Sequence, residues 1–134
     1  MTSATVLPAL DTLEDHELQT LHAEVGRILR ERIEADLPAV ILEAIREALA
    51  EDGDTRTPLR ARFSTTKWDN GYFWYAAGAR VTFFDGKTEE IETLDLDDTG
   101  ADEALSDHAS YQVDPLDSSD TLTVTFEPPS VRMS

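Results

Sequence analysis

The spacing of apolar residues changes once along this chain, from helical steps to strict alternation just after Thr57, and that change constrains the fold more than any other feature. Upstream, Leu18, Leu21, Val25, Ile28, Leu29 and Ile33 recur at steps of three and four, and Asp11 with Glu14 has the spacing of a capping box. Pro38 has no backbone N–H to donate and disfavours helical geometry at Leu37. The pattern therefore predicts two helices, about 12–36 and 38–51. Asp36 caps the second, Val40, Ile41, Ala44, Ile45 and Leu49 form its apolar face, and Gly53 ends it.

Downstream, Leu59, Ala61 and Phe63 alternate with Arg60, Arg62 and Ser64, and Phe73, Tyr75, Ala77, Ala79, Val81 and Phe83 alternate with polar or aromatic neighbours. Asp69-Asn70-Gly71 and Phe84-Asp85-Gly86 supply the turns. A three-residue first loop pairs Phe63 with Ala77 and Ala61 with Ala79. A three-residue second loop pairs Ala79 with Ile91 and sets Arg80 opposite Glu90. Strands over Ala109–Val113 and Thr121–Phe126 complete about five, the last with Leu122, Val124 and Phe126 inward. The predicted class is α+β: two N-terminal helices packed on an antiparallel meander. A single domain spans 1–134, helical over 11–52 and sheet over 58–127, with 1–10 and 128–134 frayed.

With 40% apolar residues the chain has material for one core. Its net charge of −17 is concentrated late. From Asp85 to Glu127 there are fourteen carboxylates and one base, Lys87, whereas Arg56 to Arg80 holds five bases against Asp69. Such a field repels nucleic acid and anionic membrane and attracts basic surfaces. Nine arginines against two lysines, with abundant alanine and aspartate, also fit a GC-rich or saline background. Without cysteine, disulfides and thiol chemistry are excluded. The opening MTSATVLPAL lacks the basic start and long apolar run of a secretory signal, so a cytoplasmic location is expected.

On the predicted register Trp68, Tyr72 and Trp74 share the outer face of the sheet with Arg60, Arg62 and Arg80, as a contact surface for a partner. Asp95, Asp97, Asp98, Asp102 and Glu103 form an acidic loop over 95–107. Asp95-Leu96-Asp97-Asp98-Thr99 resembles the D-x-D-x-T signature of haloacid dehalogenase-like phosphatases, which would imply Asp95 as nucleophile and Asp97 as acid/base. That family sets the motif after a buried apolar strand and supplies a lysine downstream. Here Glu89-Glu90-Ile91-Glu92-Thr93 precedes it and no lysine follows Lys87, so no catalytic residue is assigned. Asp95, Asp97, Thr99 and Gly100 also resemble the opening of an EF-hand loop, but Ser106 stands where a bidentate glutamate is required. His16, His22 and His108 are dispersed, fitting surface or cap positions.

The resulting expectation is a non-catalytic acidic interaction domain that binds a basic partner, with no cofactor and no nucleic-acid or membrane ligand. A sharper form is a nucleic-acid-mimicking inhibitor. Two alternatives are an assembly subunit forming homo-oligomers through the seam Leu18, Leu21, Val25 and Ile28, and a divalent-metal protein using the 95–107 loop.

Overall fold

The computed structural model describes residues 14–134. Residues 1–13, including the predicted cap at Asp11 and the predicted frayed lead-in, lie outside the described residues. Among the described residues the fold is α+β, with two helices and an antiparallel six-stranded sheet.

Helix α1 runs unbroken over Asp15–Glu51, capped by reciprocal hydrogen bonding between Glu14 and Glu17. The predicted division at Pro38 is thus corrected. Proline does forfeit the bond to the carbonyl four residues back, at Glu34. Its ring is nevertheless buried in α1 beside Leu37 and Ile41, and that packing offsets the loss. Gly53, at φ 68°, reverses the chain after the helix, where few side chains are tolerated.

Six strands follow: β1 (Thr57–Trp68), β2 (Gly71–Trp74), β3 (Ala79–Phe84), β4 (Glu89–Leu94), β5 (Thr121–Phe126) and β6 (Pro129–Met133), with helix α2 (Gly100–Ser110) between β4 and β5. The order across the sheet is β4-β3-β1-β5-β6, and β2 pairs with the far end of β1. This is not a meander, because the chain crosses through α2 from one side of β1 to the other. The 95–107 segment is mostly helix rather than loop, and 109–113 ends that helix instead of forming a strand. The tail also departs from expectation: β6 pairs with β5, with Val124 opposite Val131, so 129–133 is ordered.

Both predicted hairpin registers require correction. The first loop is Asp69-Asn70, with Trp68 opposite Gly71 and Thr65 opposite Trp74. A single 3-10 turn, Ala76–Gly78, then shifts the pairing so that Ala61 faces Val81 and Arg62 faces Arg80. Gly78 permits that turn, because a Cβ there would lie 2.6 Å from the Tyr75 ring. The turn also reverses parity. Before it Trp74 points inward; after it Ala79, Val81 and Phe83 do.

The second hairpin has a four-residue loop, Asp85–Thr88, and a register that sets Phe83 opposite Glu90 and Arg80 opposite Thr93. Glu90 therefore lies on the same side of the sheet as Phe83, exposed at the edge strand, and does not meet Arg80. It meets Arg56 at 3.1 Å, as do Glu92 at 2.6 Å and Asp54 at 2.7 Å, while the same guanidinium lies 4.4 Å above the Phe83 ring. Hydrogen bonding to Arg56 holds the Asp54 carboxyl below its ordinary pKa and raises that of the guanidinium.

The core lies between the inner sheet face and the helices. Phe63, Val81, Phe83, Leu122 and Val124 meet Leu37, Ile41 and Ile45 of α1 and Leu105 of α2, all essentially without solvent exposure. On the outer face Arg62 stands directly opposite Arg80, and neither forms an ion pair among the described residues. Like charges so placed are destabilising. Arg80→Glu is expected to raise unfolding stability by about 0.5 kcal/mol, read by urea denaturation, and a loss of stability would contradict the pairing.

Candidate functional site

A cleft of about 500 Å³ opens where the β1–β2 hairpin approaches the start of α2. The residues build it in three parts. Thr66, Trp68 and Phe73 of the hairpin form one wall, and Trp74 with the turn that follows forms the floor. Asp97, Asp102, Glu103 and Asp107 form the other wall. None of the lining side chains is basic.

Local sequence explains each part. The Thr99 hydroxyl accepts a hydrogen bond from the Ala101 N–H at 3.1 Å and so caps α2. Asp102 and Glu103 occupy its first turn, where the helix dipole favours negative charge. Ala101, Leu105 and His108 turn inward, which leaves Asp102, Glu103, Ser106 and Asp107 facing the cleft. Burial pushes the Asp102 carboxyl above its ordinary pKa, and the charges of Asp97 and Asp98 push it the same way. The site thus carries negative charge that no residue lining it neutralises.

The floor is fixed from beneath. Trp74 is 4% exposed and donates its indole Nε1–H to His108 Nδ1 at 3.0 Å. The opposite ring nitrogen, Nε2, lies 3.2 Å from Glu34 Oε1 on α1. These partners assign the tautomer: Nδ1 accepts, and the Nε2 proton is directed to Glu34. His108 is 1% exposed, so it is a buried connector between three elements and not a surface histidine. His16 and His22 are exposed on α1.

Of the predicted contact residues, Trp68, Trp74, Asp97, Asp102 and Glu103 come together in this cleft. The shared outer face expected for the aromatics is corrected. Trp68 is 61% exposed at the rim, whereas Trp74 belongs to the core and Tyr72 packs partly against it, because the hairpin register points both inward. Arg60, Arg62 and Arg80 lie apart from the cleft on the outer sheet face, with Arg60 3.3 Å from Glu89. Asp95 and Asp98 are not among the lining residues, and Asp95 instead accepts the Asp97 N–H at 2.9 Å. Phe73, Tyr75 and Asp107 were not anticipated. The four-residue spacing of Glu103 and Asp107 reveals them as one face only once 100–110 is recognised as helix.

Among the described residues, no three histidine, aspartate or glutamate side chains are grouped to hold a metal ion, and no helix is long and apolar enough to cross a membrane. No protein-family model, curated protein or solved structure matches the chain.

Proposed function

We propose that this chain is a non-catalytic interaction domain whose cleft receives an arginine or lysine side chain from a basic segment of a partner protein. The observation that carries this reading is the convergence of exposed aromatic surface and four carboxylates in one cleft lined by no basic residue. A cation there gains charge pairing with Asp102 and Glu103 and ring contact with Trp68, and it relieves the repulsion between Asp97, Asp98 and Asp102. The aromatic wall favours a side chain as ligand over simple imitation of a phosphate track. The inhibitor and nucleic-acid-mimic forms share the same partner charge and remain narrower versions of this proposal.

The probe is a fluorescent hexa-arginine peptide, with hexa-glutamate as control. Its affinity is expected to fall at least about tenfold between about 50 and about 500 mM salt. Asp102→Asn combined with Glu103→Gln should weaken binding by about tenfold, and Trp68→Ala by about threefold to tenfold. A flat salt response, or affinity unchanged in these variants, would exclude the cleft as the binding site.

A further inference from the structure

The face of the sheet turned away from the helices is rich in arginine, against the net charge of −17 that the chain carries as a whole. Cross-strand partners in an antiparallel sheet share a face, and one row runs Thr93, Arg80, Arg62, Thr123 and Arg132 across five strands. The adjacent row sets Ile91, Thr82 and Arg60 side by side. Neighbouring strands lie about 4.8 Å apart, so four of the nine arginines fall within about 15 Å of one another. Among the described residues a single ion pair involves these four, from Arg60 to Glu89 at 3.3 Å.

A pocket of about 120 Å³ opens between these side chains, lined by Arg60, Arg62, Arg80, Thr82 and Ile91. Thr82 is its most deeply set side chain, 6% exposed, whereas Ile91 is 64% exposed at the mouth. The volume is that of a few water molecules, the scale of one small oxyanion. Arg56, just ahead of β1, is ringed by Asp54, Glu90 and Glu92. Arg62 and Arg80 have no such carboxylate among the described residues, although their like charges stand directly opposite one another.

The chemistry of the lining selects the ligand. A guanidinium presents a planar fork of N–H donors, and one fork already saturates the two oxygens of a carboxylate. A phosphate keeps three oxygens even as an ester, enough to accept from two facing forks and from the Thr82 hydroxyl. A polyanion such as nucleic acid fits poorly, because its remaining phosphates would meet the field of an acidic chain. Ile91 at the mouth offers an apolar rest for the organic part of a small ester.

We infer that this pocket is an anion site that binds the phosphate group of a small monoester between Arg62 and Arg80, with Arg60 and Thr82 completing the lining. The bound dianion neutralises the repulsion of the Arg62–Arg80 pair, so it also stabilises the fold. The site lies apart from the acidic cleft and takes a ligand of opposite charge, so neither assignment depends on the other.

The test titrates the full chain with inorganic phosphate and with phenyl phosphate at about pH 8, where both are dianions, and with acetate as control. Ligand up to about 20 mM, at a constant ionic strength of about 0.1 M, covers a Kd of about 1 mM. Both phosphates should raise the melting temperature and move the amides of Arg62, Arg80 and Thr82 in a ¹⁵N spectrum while the Trp68 indole stays in place. Phenyl phosphate should bind about threefold tighter through contact with Ile91, whereas equal affinity would assign the same site to free phosphate. Arg62→Gln and Arg80→Glu should each weaken binding at least about tenfold. The second is expected to be more stable than the natural chain, so its loss of binding cannot come from unfolding. Arg46→Gln, at an exposed position on α1, should leave the affinity unchanged. Outer-face amides that do not move, acetate as effective as phosphate, full affinity in Arg80→Glu, or an equal loss in Arg46→Gln would each overturn the inference.

Discussion

Trp74→Ala is expected to lower the unfolding free energy by about 3–5 kcal/mol, the largest effect of any single substitution considered. Two losses combine. The ring leaves a void in the core beside the His108 ring, and the acceptor at His108 Nδ1 loses its donor. Trp74→Phe separates the two, since it restores most of the ring while removing the N–H, and it should cost less than the alanine substitution. Urea unfolding measures both. A cost below about 1 kcal/mol for Trp74→Ala would mean that the tryptophan is not part of the core, and the floor of the cleft would be wrongly placed.

The second large effect depends on pH and arises at His108. Burial holds its imidazole below the ordinary pKa of 6.5, although hydrogen bonding to Glu34 and the charge of that carboxylate act in the opposite direction. The folded chain therefore binds this proton less readily than the unfolded chain, and acid favours unfolding. The contribution is whole above about pH 6.5 and is lost as the pH falls from there through the lower, folded value. Protonation also fills Nδ1, which strands the Trp74 N–H at a cost of about 1–3 kcal/mol. The groups facing the ring are Trp74 of β2, Glu34 of α1 and Gln112, whose side-chain amide donates to the His108 carbonyl at 2.8 Å. Measuring unfolding from about pH 8 to about pH 5 for the natural chain and His108→Gln cancels the carboxylate contributions. The advantage of the natural chain should shrink on acidification. An advantage constant across that range would show that His108 does not titrate in this way.

Much of the architecture was legible because it rests on periodicity. Of the residues expected on one side, Ala61, Phe63, Ala79, Val81 and Phe83 are buried, as are Leu122, Val124 and Phe126, whereas Phe73 and Ala77 are half-buried and Tyr75 is exposed. The antiparallel sheet and the helical first third follow from the same signals. Registers were not legible, because a three-residue 3-10 turn at Ala76–Gly78 preserves alternation on either side while reversing parity between Trp74 and Ala79. That reversal moved Trp74 from the supposed outer face into the core.

The 95–110 segment was obscured by its own charge. Its aspartates have the composition of a loop, whereas the helical spacing of Ala101, Leu105 and His108 and the cap at Thr99 encode the helix. Phe73, Tyr75 and Asp107 of the cleft are not singled out by the sequence; Trp68 and Trp74 on one hand and Asp97, Asp102 and Glu103 on the other are, but as two separate surfaces. Only the fold of α2 onto the hairpin joins them, a contact between residues some thirty positions apart that no local pattern encodes.

A ¹⁵N spectrum of the chain titrated with the hexa-arginine peptide separates the two tryptophans and tests the binding site most directly. The indole signal of Trp68, together with the amides of Asp102 and Glu103, should move with peptide concentration, while the amides of Arg62 and Arg80 on the outer sheet face stay in place. Shifts centred on that outer face, or saturation of the peptide with the cleft signals unmoved, would contradict the proposal that basic side chains are received between the hairpin and α2.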